Sequence, residues 1–199
     1  MNTPLLAPAA LPCSVFLILA LSMAGCVHTL WLWSRISLTL AIPMDFGKSL
    51  RGHRIFGDNK MWRGLVVMPL ASSFAFAIFA ANRDELPVWL QAGLWLLPIA
   101  DYALLGFSCG LAFMLAELPN SFLKRQMDIT PGGVSQIREL AVCCLLFDRF
   151  DSSLGVLLAL QLQVPLSWQT WLYTLGIGGG IHWIFSYLLY LLGIKARPS

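Results

Sequence analysis

The sequence predicts an all-α integral membrane protein. It reads as one domain over residues 1–199 with five transmembrane helices, the N-terminus outside and the chemistry at the cytoplasmic face. Three observations carry that prediction. The composition is 58% hydrophobic and 12% charged, with a mean hydropathy of +0.73, where a soluble domain carries roughly 25% charged residues. Five apolar runs reach the length of about 20 residues that a helix needs to cross a bilayer. Lys and Arg gather in alternate connections, the asymmetry that sets orientation. A net charge of +3, with no basic stripe interleaved with exposed aromatics, argues against nucleic acid as a partner.

The first run spans about Leu11 to Trp33. Met1 to Pro12 holds no Lys or Arg, whereas a cleaved signal peptide has a charged n-region, so this segment is expected to stay as a true span. The second runs from about Gly64 to Ala81. The third, Pro87 to Leu118, contains Pro98 and Asp101, and no polar turn divides it. One tilted or Pro98-kinked helix is expected there. The fourth covers about Leu140 to Leu162 and the fifth about Trp168 to Leu192.

Five spans put loops 34–63 and 119–139 and the tail 193–199 on one side. Arg35, Lys48, Arg51, Arg54, Lys60, Arg63, Lys124, Arg125, Arg138, Lys195 and Arg197 fall there, Arg149 lies near that end of the fourth span, and only Arg83 falls opposite. That side is read as cytoplasmic, in a multi-pass protein of the cell membrane (the cytoplasmic membrane in a prokaryote). Trp31, Trp33, Trp62, Trp89, Trp168 and Trp171 cluster at span ends as an aromatic belt.

Several residues are read as structural. Cys13, Cys26, Cys109, Cys143 and Cys144 lie in or beside apolar runs without metal-site spacing. His28 and His182 each stand in an apolar run with no second His at ligand spacing. Gly176-Ile177-Gly178-Gly179-Gly180 opens a span with no strand before it, which fits close helix packing better than a phosphate loop.

Three polar clusters share the cytoplasmic side. The first, residues 45–64, holds five Lys/Arg, Asp45 and Asp58, and glycines at 47, 52, 57 and 64. Glycines beside cations point to a polyphosphate or lipid-phosphate site, because they allow sharp turns and close backbone approach to an anion. The second is Glu117 to Arg125, where Pro119 is expected to break or cap the helix beside Asn120 and Ser121. Its Lys124 and Arg125 offer fixed charge for phosphate oxygens, although such a pair also serves as ordinary positive-inside punctuation. The third is Asp148-Arg149-Phe150-Asp151-Ser152, whose two acids project from one helical face. Carboxylates within a span are costly and call for a function. Two at this spacing suit Mg²⁺, and an ion pair with Arg149 or Arg138 is the structural alternative. Together the clusters suit metal-assisted transfer at phosphorus.

These residues carry a resemblance. Pro43-Met44-Asp45-Phe46-Gly47-Lys48 and Arg54 to Gly64 resemble the P-x-D-F-G…R-x-x-G-D-x-K-T-x-R-G loop of the CDP-archaeol synthases, membrane cytidylyltransferases related to CDP-diacylglycerol synthases. Glu117 to Arg125 is similar to that superfamily's G-D-L-x-x-S-x-x-K-R segment, and Asp148 to Ser152 to its D-[RQ]-x-D-S element. The resemblance implies transfer of CMP from CTP to a lipid phosphate with Mg²⁺ and release of pyrophosphate. It implies metal at Glu117, Asp148 and Asp151, with Lys124, Asp148 and Asp151 catalytic. Asp45, Lys48, Gly57, Asp58, Asn59, Lys60, Arg63, Asn120, Ser121 and Arg125 would bind CTP or the lipid phosphate, and a homodimer is allowed. Met61, Glu117 and Ala116 depart from the family's Thr, Asp and Gly. Two rivals stand beside this reading. A CDP-alcohol phosphotransferase would need a longer acidic motif than Asp151-Ser152-Ser153 offers. A non-catalytic protein that binds or transports anionic lipid would gain nothing from the three acids.

Overall fold

The computed structural model describes residues 5–130, 133 and 137–191. Of the positions singled out above, Leu192, Lys195 and Arg197 lie outside the described residues, as do the side chains of Arg138 and His182. Helix α1 (Ala10–Leu32) leads through a 3₁₀ turn (Arg35–Leu40) into a loop with a small hairpin, β1 (Ser49–Leu50) and β2 (His53–Arg54). Then follow α2 (Trp62–Ala81), a short α3 (Val88–Gln91), α4 (Ile99–Gln126), α5 (Arg138–Gln161) and α6 (Trp168–Leu191). Among the described residues α1, α2 and α4 are long and apolar enough to cross a membrane. Helix α5 is continuous, but Asp148, Arg149 and Asp151 interrupt its apolar run.

Side-chain and backbone contacts give the helix directions. His28 of α1 faces Gly64 of α2, and Phe16 of α1 meets Phe76 and Phe79, so α1 and α2 run antiparallel. Met68 and Pro69 of α2 meet Gly110 of α4, while Ser72 and Phe76 meet Gly106, so these also run antiparallel. Helices α4 and α5 do the same, with Ala112 and Ala116 against Gly155 and Lys124 against Asp148. The polar loop 41–61 and the end of α4 therefore meet at one end of the bundle.

Close approach of α2 and α4 depends on a G-x-x-x-G pair that the sequence analysis did not single out. A Cβ at Gly106 would lie 2.4 Å from the Ser72 carbonyl oxygen, and one at Gly110 would lie 2.6 Å from that of Met68. Small residues let backbones approach where lipid gives no hydrophobic drive for association. The 176–180 glycines matter less. Of the four glycines only Gly179 packs closely, its Cβ position 2.9 Å from the Phe150 ring, and Gly176 and Gly180 face open space.

Two expectations are corrected here. The run from Pro87 to Leu118 is not one kinked helix. Pro98 caps the start of α4, and the preceding residues fold back across the bundle end. A Cβ at Gly93 would lie 2.3 Å from the Pro12 carbonyl carbon. Trp95 is buried against Phe16 and Tyr102, and its Nε1 donates to the Pro165 carbonyl at 3.1 Å. Length and apolarity are the same for a span and for such a plug, which is why the sequence misled. Pro119, in turn, sits inside α4 without ending it. Spanning helices tolerate proline because neighbours re-satisfy the freed backbone groups.

Candidate active site

The loop after α1 is organised around a buried acid. The Asp45 side chain is fully enclosed. It accepts from the amides of Gly47, Phe56 and Gly57, each at 3.0 Å, and from Arg54 Nη2 at 2.7 Å. Burial by itself would raise the Asp45 carboxyl, but the Arg54 bond and the three amides outweigh it and hold the group well below the usual carboxylate range. Gly57 reaches this acid with φ +91°, a backbone that a side chain would strain. In the hairpin, Arg51 and Gly52 both take positive φ, as a type I′ turn requires. The loop returns through Met44 N–H to the Lys60 carbonyl (2.8 Å) and Trp62 N–H to the Ile42 carbonyl (3.0 Å), which aims Lys60 at the bundle.

The acids and amines of α4 and α5 form a continuous ladder with Lys60. Lys60 pairs with one oxygen of Glu117, and the other oxygen accepts from Ser152 Oγ at 2.9 Å. Ser152 Oγ also reaches Asp151 Oδ1 at 3.3 Å. Asn120 Nδ2 then bridges Asp151 Oδ2 at 3.3 Å and Asp148 Oδ1 at 2.7 Å. Lys124 closes the row on both oxygens of Asp148. Glu117, Asn120 and Lys124 stand three and four residues apart, one face of α4, and Asp148 and Asp151 stand on the facing side of α5. Asp151 is the acid of this ladder with no ammonium partner. Contact across the two helices depends on Gly155, whose Cβ position is 2.5 Å from the Ala116 Cβ and 2.8 Å from the Ala112 carbonyl oxygen.

Arg125 is buried and ties α4 to the loop, its Nε donating to the Phe56 carbonyl at 3.2 Å while its Nη1 keeps no hydrogen-bond partner. His53 Nδ1 pairs with Asp128 Oδ1 at 2.8 Å, a second tie, here between the hairpin and the residues just after α4.

With this geometry in hand, comparison with known proteins is decisive. The family model for CarS-like CDP-archaeol synthase matches residues 14–198. The chain belongs to the CDP-archaeol synthase family. CDP-archaeol synthases of Saccharolobus islandicus and Saccharolobus solfataricus are each 30% identical to it over 158 residues, covering 78% of this chain and 81% of theirs. The CDP-archaeol synthase of Halobacterium salinarum is 29% identical over 167 residues, covering 78% and 82%. A solved intramembrane enzyme for archaeal membrane lipids biosynthesis shares the fold, with a TM-score of 0.60 at 20% identity over 86% of this chain and 91% of that one. The protein is thus a membrane-embedded enzyme of the cytidylyltransferase type, and a non-catalytic lipid binder is not favoured.

Within this member of the family the predicted site residues divide. Lys60, Glu117, Asn120, Lys124, Asp148 and Asp151 come together, with Arg125 behind them. Asp45 and Gly57 face into the loop, where the anion that the Gly47, Phe56 and Gly57 amides embrace is the protein's own carboxylate. Asp58 is exposed and pairs with Arg54 at 2.8 Å. Lys48 and Asn59 are exposed, and among the described residues neither side chain has a hydrogen bond or ion pair. Ser121 is buried beside Asn120, but the ladder does not include its hydroxyl. Arg63 is half-buried near His28. The three acids expected to hold metal are not drawn into one cluster in this structure. Among the described residues no three His, Cys, Asp or Glu side chains gather at metal-holding distance, because Lys60 and Lys124 hold Glu117 and Asp148. Sequence reasoning missed two contributors, Arg54 and Ser152. Both stood in the quoted motifs, and neither was assigned a task.

Proposed function

We propose that this enzyme transfers CMP from CTP to a membrane lipid phosphate, forming a CDP-lipid and pyrophosphate, at the cytoplasmic mouth of a five-span bundle in the cell membrane. The lipid class we favour is an archaetidic-acid-like ether lipid phosphate, with phosphatidate as the second substrate to be tried. The observation that carries this reading is the ladder from Lys60 to Lys124. It sets two ammonium groups and three carboxylates beside the buried Arg125, at the membrane-entering ends of α4 and α5.

In this reaction an oxygen of the lipid phosphate attacks the α-phosphorus of CTP and the bond to the β-phosphate oxygen breaks, so pyrophosphate leaves with the electron pair. No covalent enzyme intermediate is required, and the chain offers no nucleophile–base pair. The protein's work is positioning and neutralisation of charge. Lys60 and Lys124, now held by Glu117 and Asp148, turn to phosphate oxygens when substrate arrives. Arg125 Nη1 offers a further charged donor. Asn120 and Ser152 fix the carboxylates in place. The donor set fits Mg²⁺: hard oxygens, with Asp151 free of any ammonium and one hydroxyl away from Glu117. Mg²⁺ takes one or two carboxylates and completes its shell with water and phosphate. Asp151 and Glu117, with Asp148 once Lys124 departs, would hold it. Bound there, the ion would neutralise charge on the triphosphate.

The test is to incubate purified, detergent-solubilised protein with Mg²⁺, CTP labelled in its α-phosphate, and either archaetidic acid or phosphatidate, and to chromatograph the lipids. Label in a lipid is the expected result, with more in the ether lipid, and Asp148→Asn abolishes it. No label in any lipid from folded, CTP-binding protein would sink the proposal.

A further inference from the structure

One side chain on α1 faces this site without a task. His28 lies within the apolar run of α1, more than a turn inside its cytoplasmic end at Leu32. Its Nε2 is buried and has no hydrogen-bond partner. The ring packs against the start of α2, with Nε2 3.6 Å and Cε1 3.8 Å from the Cβ position of Gly64. Glu117 and Arg63 lie near enough to act on it electrostatically. One turn closer to the loop, Trp31 Nε1 is also buried without a partner, and a spacing of three puts both nitrogens on one side of α1.

A buried polar nitrogen without a partner is costly, most of all at membrane depth where water does not substitute. Two on one helical face, with His28 close to Arg63 and Glu117, mark a polar wall on the membrane side of the site. CTP arrives from water, where the loop and the end of α4 meet it. The ligand that approaches from within the membrane is the lipid, and its only charged group is the phosphate. Gly64 lets α2 close against α1 and α4 at this depth, since a Cβ there would lie 2.7 Å from the Met114 methyl and 3.6 Å from His28 Nε2.

We propose that His28 is a lipid-phosphate-binding residue, with Nε2–H donating to a phosphate oxygen of the lipid substrate from the α1 side. This rests on the cytidylyltransferase reading and adds the residue that sees the lipid headgroup. A hydrogen bond to a charged group predicts a loss on the order of tenfold in lipid affinity when it is removed.

The experiment compares wild type with His28→Phe and His28→Gln in the full-length protein in nanodiscs. It measures steady-state kinetics with CTP and lipid phosphate varied separately, lipid-phosphate binding by native mass spectrometry without CTP, and Tm. Expected for His28→Phe is a KM for lipid phosphate raised about tenfold, with the KM for CTP and Tm unchanged and weaker binding of lipid phosphate but not of its neutral alcohol. His28→Gln, which keeps an N–H at a similar reach, recovers most of the loss. An unchanged lipid KM and unchanged lipid binding in His28→Phe overturn the assignment, as does an equal rise of both KM values or a loss that His28→Gln does not recover. Wild type that binds lipid phosphate but transfers no CMP overturns the reaction instead, and weaker binding in His28→Phe then still upholds the contact.

Discussion

Asp45 shows how much one buried charge decides. Asp45→Asn removes the counter-charge of Arg54 and weakens three amide contacts at once. Loss of one member of a buried, hydrogen-bonded pair costs roughly 3–5 kcal/mol, less where the partner is partly exposed as Arg54 is. The expected outcome is a lowered Tm and lost amide hydrogen-exchange protection across residues 43–61, with α4 unaffected. The pH behaviour follows from the sign of the shift. A carboxyl lowered on folding contributes its full stability above the unfolded value of about 3.9, and loses it only as pH falls toward the folded one. Loop protection measured by hydrogen exchange, corrected for intrinsic rates, should therefore stay level from pH 8 to pH 5. Ser152 makes the complementary case. Ser152→Ala cuts the bridge between Glu117 and Asp151 without removing a carboxylate, and loss of such a supporting contact typically costs 10- to 100-fold. A magnesium titration of activity should show half-saturation moved up by about tenfold, while CTP binding without metal is unchanged.

Helix pairing carries the next level of control, and Gly155 is its pivot. Gly155→Val places atoms where the Ala116 methyl and the Ala112 carbonyl already stand, so α4 and α5 must separate. The ladder spans those two helices through contacts of about 3 Å, so activity should fall below detection while helical content by circular dichroism persists. Wild-type turnover in this variant would show that the close approach is dispensable. Much of the ladder was legible in the sequence, because spacings of three and four project side chains from one helical face whatever the surroundings. The task of Asp45 was not legible. An acid among glycines and arginines reads equally well as a ligand for substrate or as the loop's own anchor, and burial, which decides between them, depends on the fold of residues 41–61. The segment before Pro98 misled for a related reason. Contacts with distant parts of the chain, Pro12 and Pro165 among them, distinguish a plug from part of a span.

The alternating helices put the 41–61 loop and the end of α4 at one end of the molecule, as the distribution of Lys and Arg led one to expect. The membrane orientation itself is a prediction. In a cysteine-free background, single cysteines at Lys48 and Asp128 should react with an impermeant thiol reagent only from the cytoplasmic side of sealed vesicles, and one at Asp84 only from outside. Opposite labelling of Lys48 and Asp128 would rule out the five-span layout. At the other end, the folded-back residues around Trp95 act as a floor: Gly93 lies against the α1 backbone and Trp95 is bonded to Pro165. A bundle stoppered in this way offers a headgroup no passage from face to face. In the proposed five-span layout a lipid would slip in sideways between helices and leave by the same route, so each product molecule would stay in the leaflet that supplied its precursor. Populating the opposite leaflet would then fall to a separate flipping protein.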